Sequence, residues 1–273
     1  MISCSIMGGL GNQLFQVFAT IAYALNNGKE AFFPFTDKSN GFTERKVYWG
    51  SFLSSIQFMV RNVTIEMVLL REKGFEYNQI MKIFGKNVML YGYYQSYKYF
   101  ENNYDMICNM ISLEQKKEIV KSKYNYYDFN DSVSMHFRIG DYIHIQDKHP
   151  ILEKSYYENS LNEIVKNYSN IKNVYYFTEK KDFIEAQNII NQIKDKFNEL
   201  TFTYVTNVNE DWEEMLLMSL CTHNIIANST FSWWGAYFND NPDKMVCYPS
   251  KWFGPALFHQ TYDLFPSTWN KIS

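Results

Sequence analysis

The run Ser134-Met135-His136-Phe137-Arg138-Ile139-Gly140-Asp141 puts an imidazole, a guanidinium and a carboxylate within six residues. Residues 131–137 alternate as a buried strand does, and the charges follow at its end. Gly140 between Arg138 and Asp141 allows a sharp turn there. Arg138 is the only arginine after Arg71; every other strong cation in that half is lysine. A guanidinium binds phosphate or carboxylate through a bidentate fork, so one arginine at a strand end points to anion recognition. The alternative is an Arg138–Asp141 surface pair, which would be worth little.

A second anion-suited turn is Asn228-Ser229-Thr230-Phe231-Ser232, after the short strand at 224–227 and before a helix. Helix N-termini offer unpaired N–H groups and a positive dipole end, and open α/β sheets bind ligands beyond the carboxyl ends of their strands. Ser229 or Thr230 could equally do no more than cap the helix, with Trp233 and Trp234 packed in the core. A third, weaker signal is Gly8-Gly9-Leu10-Gly11-Asn12-Gln13. It matches neither the dinucleotide fingerprint nor a P-loop, so Asn12 and Gln13 either cap the helix or reach a ligand. His136, His144, His149, Asp141 and Asp147 match no metal-ligand spacing. His149-Pro150 reads as a loop former, and His144 as solvated.

Positioning these residues requires alternating strands and helices. The first stretch reads as a strand at 2–7, a glycine turn, a helix over 12–26 stopped by Gly28, and a strand at 31–35. Residues 40–86 read as mixed helices and loops, with Thr64 capping a helix over 65–73. A strand follows at 88–94. The charged run within 112–131 fits a helix or a linker and is the best boundary. Beyond it come strands at 132–137, 173–177, 201–205, 224–227 and 244–248. Helices at 155–165 (capped by Ser155 with Glu158 in a capping box), 182–197, 211–220 and 231–238 separate them. This rhythm predicts a doubly wound parallel sheet.

The composition is that of a globular protein. The 273 residues are 46% hydrophobic and 20% charged, which excludes disorder. The 22 Tyr, 22 Phe and 6 Trp suit flat, hydroxyl-rich ligands. A net charge of -3 argues against a general nucleic-acid binder. Residues 1–125 carry 14 Lys+Arg against 10 Asp+Glu and the rest 12 against 19, so an anion in the second half needs a local device. Cys4, Cys108, Cys221 and Cys247 are too far apart for a metal site and read as reduced thiols. No signal peptide or membrane-spanning stretch is read, so the expected location is cytoplasmic, and peripheral membrane contact is compatible with this.

Together these motifs resemble the α-1,2-fucosyltransferases of glycosyltransferase family 11. The resemblance includes Met7-Gly-Gly-Leu-Gly-Asn-Gln-Leu-Phe-Gln16, Tyr91-Gly-Tyr-Tyr-Gln-Ser-Tyr-Lys-Tyr-Phe100, His136-Phe-Arg-Ile-Gly-Asp-Tyr142 and His149-Pro-Ile-Leu152. It continues through Leu217-Met-Ser-Leu-Cys221, Asn224-Ile-Ile-Ala-Asn-Ser-Thr-Phe-Ser-Trp-Trp-Gly-Ala236 and Pro249-Ser-Lys-Trp-Phe253. It implies an α/β fold of the GT-B kind, two Rossmann-like domains facing a cleft. Residues 1–125 would form the acceptor side and 126–273 the donor side. It implies inverting transfer of fucose from GDP-β-L-fucose to the 2-hydroxyl of a galactose-terminated acceptor, with no metal and no cofactor. The family hexad His-x-Arg-Arg-x-Asp falls on His136, Arg138, Ile139 and Asp141, so isoleucine stands where the second arginine would be. On this reading Arg138 meets the β-phosphate, helped by Asn228, Ser229, Thr230, Phe231, Ser232 and the helix start. His136 lies in the same donor site, Gly11 and Asn12 meet the donor from the first domain, and Glu179 accepts from guanine. Asp141 is the first candidate for the base unless it only orients Arg138; His149 is the second.

Overall fold

The computed structural model describes residues 1–39 and 45–273. Part of the 40–86 stretch, residues 40–44, lies outside them. The chain divides into two compact units, Met1–Lys116 with His259–Pro266, and Lys117–Phe258 with Ser267–Ser273.

The first unit holds β1 (Ile2–Cys4), α1 (Leu10–Asn26), β2 (Val68–Arg71), β3 (Val88–Tyr91) and α2 (Tyr104–Met110). Its sheet is parallel, in the order β1-β3-β2. The apolar positions of α1, among them Leu14, Phe15, Phe18 and Ile21, are fully buried. Phe18 meets Phe100 edge-on at 5.3 Å. Two expectations fail in this unit. Residues 31–35 form single bridges only, Ala31 with Ile2 and Phe33 with Val60. The helix expected over 65–73 is extended and contains β2, so Thr64 caps no helix. Pairing of Val68, Leu69 and Leu70 with β3 outweighs the weak local helical preference.

The run at 112–131 contains a helix, α3 (Leu113–Lys123), and the division between units falls inside it. The second unit continues with β4 (Ser132–His136), α4 (Lys154–Asn167), β5 (Asn173–Phe177), α5 (Phe183–Ile193), β6 (Thr201–Tyr204), α6 (Asp211–Leu220), β7 (His223–Ile225), α7 (Thr230–Tyr237), β8 (Val246–Pro249) and β9 (Asn270–Ile272). All neighbours in its six-stranded sheet are parallel, in the order β6-β5-β4-β7-β8-β9. Strand order therefore runs outward from β4 in one direction and from β7 in the other. The reversal between them is the topological switch point at which doubly wound sheets hold their ligands.

Alternation along β4 decides what covers each face. Val133, Met135 and Phe137 join Tyr157, Leu161 and Ile190 of α4 and α5 in one apolar cluster. Ser134 points the other way, where Asn224 donates to its Oγ (2.7 Å) and to the Met218 carbonyl on α6 (2.8 Å). α6 and α7 pack closely on that side: a Cβ on Gly235 would lie 3.0 Å from the Met218 Cβ. Trp233 and Trp234 are fully buried, as the core reading expects. At α4 the expected capping box is absent. The helix starts one residue early with Glu153 at the cap, and Glu158 pairs with Lys196 (2.5 Å) and Lys154 (3.6 Å). β9 has no counterpart in the sequence reading. Among the described residues no helix is long and apolar enough to cross a membrane.

Candidate functional site

β4 and β7, neighbours across the switch point, deliver the second unit's polar residues to one end of the sheet. Beyond β4 the chain turns at Gly140, whose N–H donates to the buried Asp182 Oδ2 at 2.7 Å, and enters a 3-10 turn over Gly140–His144. This turn aims Arg138. Its Nη2 donates to Asp141 Oδ1 at 2.7 Å and its Nη1 to Glu179 Oε1, while its guanidinium lies 5.3 Å from the Tyr142 ring centre. Glu179 also takes Lys181 at 2.9 Å. Two cations and two carboxylates thus alternate across the turns after β4 and β5. The Arg138 side chain keeps 22% of its surface exposed, enough to meet a ligand.

Tyr142 ties this turn to the one after β7. Its hydroxyl donates to the Asn228 carbonyl at 3.0 Å, and burial pushes its phenol up to about 12 although Arg138 opposes the shift. Asn228 is fixed in turn, its Nδ2 donating to Pro150 O (2.9 Å) and Trp252 O (3.2 Å). Ser229 caps α7 by accepting from the Phe231 N–H, and the Ser232 hydroxyl turns back to Ser229 O at 3.3 Å. Both hydroxyls serve the helix start, and the dipole end of α7 opens beside Asn228.

Three buried polar atoms near these adjacent strand ends have no hydrogen-bond partner in the protein: His136 Nδ1, Thr178 Oγ1 and Asn228 Oδ1. Such atoms cost free energy unless a ligand meets them. Burial, and then the charge of Arg138, push the His136 imidazole down to about 3, so it is neutral at neutral pH. Phe231 packs 5.7 Å from its ring. On α6, Glu214 is pushed up to about 8 by burial and then by Asp211 and Glu179, so it carries a proton near neutrality.

His136, Arg138, Asp141, Glu179 and residues 228–232 are thus gathered in the second unit. Gly11 and Asn12 lie in the first, where a Cβ on Gly8 would come 2.5 Å from Asn12 Nδ2. Asn12 Oδ1 accepts from Gln95 (2.9 Å), while Gln13 donates to Gly8 O and Lys46 O and Gln16 closes both backbone groups of Met7. The amide side chains of this motif therefore lock the turn, and no side chain caps α1. Ile139 belongs to the apolar cluster with Phe137 and Tyr157, so its position contributes packing. His149 stacks on Tyr142 at 4.9 Å. Cys4, Cys221 and Cys247 are buried, with thiols pushed up to about 12, and are unsuited to nucleophilic work. Among the described residues no group of three or more His, Cys, Asp or Glu is placed to hold a metal ion. Sequence reasoning missed Thr178, Asp182, Glu214 and the bridging role of Tyr142. For Thr178 the available signal was a hydroxyl directly after a predicted strand, next to Glu179.

Comparison with known proteins fits this geometry. The glycosyl transferase family 11 model matches residues 1–273. The O-antigen biosynthesis glycosyltransferase WbnK of Escherichia coli is 30% identical, over 93% of this chain and 95% of its own length. An alpha-1,2-colitosyltransferase of Escherichia coli is 25% identical, over 100% of this chain and 99% of its own. Among solved structures, "Crystal structure of POFUT1 in complex with GDP" superposes with a TM-score of 0.51 at 11% identity, covering 90% of this chain and 97% of that one. The architecture is that of the GT-B glycosyltransferases, and the chain belongs to glycosyl transferase family 11.

Proposed function

We propose that this chain is an inverting galactoside α-1,2-fucosyltransferase, moving L-fucose from GDP-β-L-fucose to the 2-hydroxyl of a terminal galactoside in an O-antigen-type oligosaccharide. The observation that carries the reading is Arg138 at the switch point, beside three buried polar atoms that lack protein partners. Family membership supports the transferase class, and the similarity to WbnK, an O-antigen biosynthesis glycosyltransferase, supports an O-antigen-type oligosaccharide as the acceptor class. The six-stranded unit, read from sequence as 126–273, takes the donor, and the three-stranded unit, read as 1–125, takes the acceptor.

Transfer forms a bond from the acceptor oxygen to C1 of fucose and breaks the bond from C1 to the β-phosphate. The electron pair leaves with GDP, and the transition state is oxocarbenium-like. Negative charge grows on the β-phosphate, so donors fixed there lower the barrier most. Arg138 fills this role, with the start of α7 and Asn228 beside it. Asp141, already bonded to Arg138, orients the guanidinium. Glu179 exchanges a cation for the guanine N–H edge. His136, neutral at working pH, supplies a hydrogen bond without adding charge. No step is assigned to a metal, so the rate in excess chelator equals the rate without it.

The colitosyltransferase relative supports a second reading, in which the donor is GDP-colitose, a sugar lacking the 3-hydroxyl of fucose. Initial rates with GDP-fucose, GDP-colitose and GDP-mannose and a galactoside acceptor test both. Fastest turnover with GDP-fucose supports the first reading, and fastest turnover with GDP-colitose replaces it by the second. Tight binding of GDP-fucose with no GDP released in any arm would leave a sugar-nucleotide binding protein instead.

A further inference from the structure

In the first unit, residues 77–87 lead from the segment after β2 into β3, and they hold two large apolar side chains out in water. Met81 and Phe84 are each 78% exposed. Ile80 and Ile83 are half-buried, whereas Met81, Lys82, Phe84 and Lys86 are exposed, so this loop has an apolar inner face and a mixed outer one. A loop free to move would turn Met81 and Phe84 inward, because their exposure is unfavourable. Its backbone is pinned instead. The Tyr23 hydroxyl of α1 donates to Met81 O at 2.8 Å, and Lys29 Nζ donates to Ile83 O at 3.1 Å and to Lys86 O. Gly85, at φ +64°, makes the turn after Phe84.

The outer face is cationic. Lys82 Nζ lies over the Phe84 ring, 5.3 Å from its centre. Residues 77–100 contain Lys82, Lys86 and Lys98 and neither Asp nor Glu. On the segments beside the loop, Glu30 is held by Arg61, and Glu66 sits at the base, its carbonyl accepting from Asn87 Nδ2 at 3.2 Å. Lys29, Lys82, Lys86 and Arg61 thus stand against two acids, and the balance is positive. Apolar tips flanked by lysine match a bilayer surface with anionic headgroups. Lipid phosphates meet the ammonium groups, and the aromatic and thioether side chains enter the acyl boundary. Anchors for a protein partner sit instead within a surrounding rim of contacts that excludes water, whereas these two side chains stand nearly clear of the protein.

We infer that the 77–87 loop docks the first unit on an anionic phospholipid surface. Met81 and Phe84 enter the boundary between headgroups and acyl chains, and Lys82 and Lys86 pair with lipid phosphates. The attachment is peripheral: among the described residues no helix is long and apolar enough to cross a membrane. Two apolar side chains and a few lysines give weak binding that salt screens. No residue of the loop is among those assigned to the donor, so this attachment stands apart from the transferase reading.

The test is co-sedimentation of the full chain with phosphatidylglycerol vesicles, with phosphatidylcholine vesicles as the neutral arm. The wild type is expected to pellet with the anionic vesicles. Its partitioning falls at least about tenfold on phosphatidylcholine, and likewise when salt is raised from about 0.1 M to about 1 M. Met81→Ser and Phe84→Ser each weaken binding to the anionic vesicles about tenfold, and Lys82→Gln about fivefold. All three positions are exposed, so the variants keep the fold. A wild type that stays in the supernatant with both lipids overturns the inference, as does equal binding to both. A double variant, Met81→Ser with Phe84→Ser, that pellets like the wild type also overturns it. So does a wild type that is dimeric without lipid in sedimentation velocity while the double variant is monomeric, which would make the loop a contact between copies of this chain.

Discussion

Removing Arg138 is the perturbation with the most calculable result. Its guanidinium holds Asp141 and Glu179, and its side chain keeps 22% of its surface exposed. A bidentate grip on the β-phosphate comprises two charge-assisted contacts of about 1.5–3 kcal/mol each. Truncation to alanine forfeits both and leaves two uncompensated carboxylates beside a phosphate. The expected loss is about 3–6 kcal/mol of transition-state stabilisation, or about 10²–10⁴ in kcat/KM. Arg138→Lys keeps the charge but not the fork, so it loses one contact and about 10–10². Stability changes by no more than about 1 kcal/mol, because both ion-pair partners are substantially exposed. The assay is GDP release under single-turnover conditions, with thermal melts on the same preparations. An alanine variant within threefold of wild type would refute the role given to Arg138.

Three further outcomes follow from buried groups. Thr178→Val replaces an unpartnered hydroxyl by a methyl, so the melting temperature holds or rises while the donor KM increases; a lower melting temperature with unchanged KM contradicts the assignment. His136 has a folded pKa depressed to about 3 from an ordinary 6.5, so the unfolded chain binds the extra proton. Its stability contribution is therefore complete above about 6.5 and falls by up to about 1.4 kcal/mol per pH unit below that, and His136→Asn flattens this slope in urea titrations at pH 4–7. Gly92→Ala sets a Cβ 2.4 Å from the Glu72 Cβ, an overlap that lowers stability by about 1–3 kcal/mol in urea titrations; an unchanged stability would contradict that packing.

The legible parts of this molecule are those whose signals are local. The β4 hexad, the Asn228–Ser232 turn and α6 each carry their pattern within a dozen residues, and the strand–helix rhythm of the second unit follows from periodicity. What escaped depends on pairing at a distance. The segment around β2 has helix-compatible residues, and only β3 beside it makes it a strand. No local signal joins His259–Pro266 to the first unit or adds β9 to the second sheet. Thr178 and Tyr142 gain meaning only once β5 and β7 are seen flanking β4.

The most direct test is product analysis by NMR after incubation with GDP-β-L-fucose and a galactose-terminated oligosaccharide. The account predicts one GDP released per fucose transferred and an α-linked fucosyl group on the galactose 2-oxygen. A β-linked product, a different linkage position, or GDP release without any glycosidic product would contradict it.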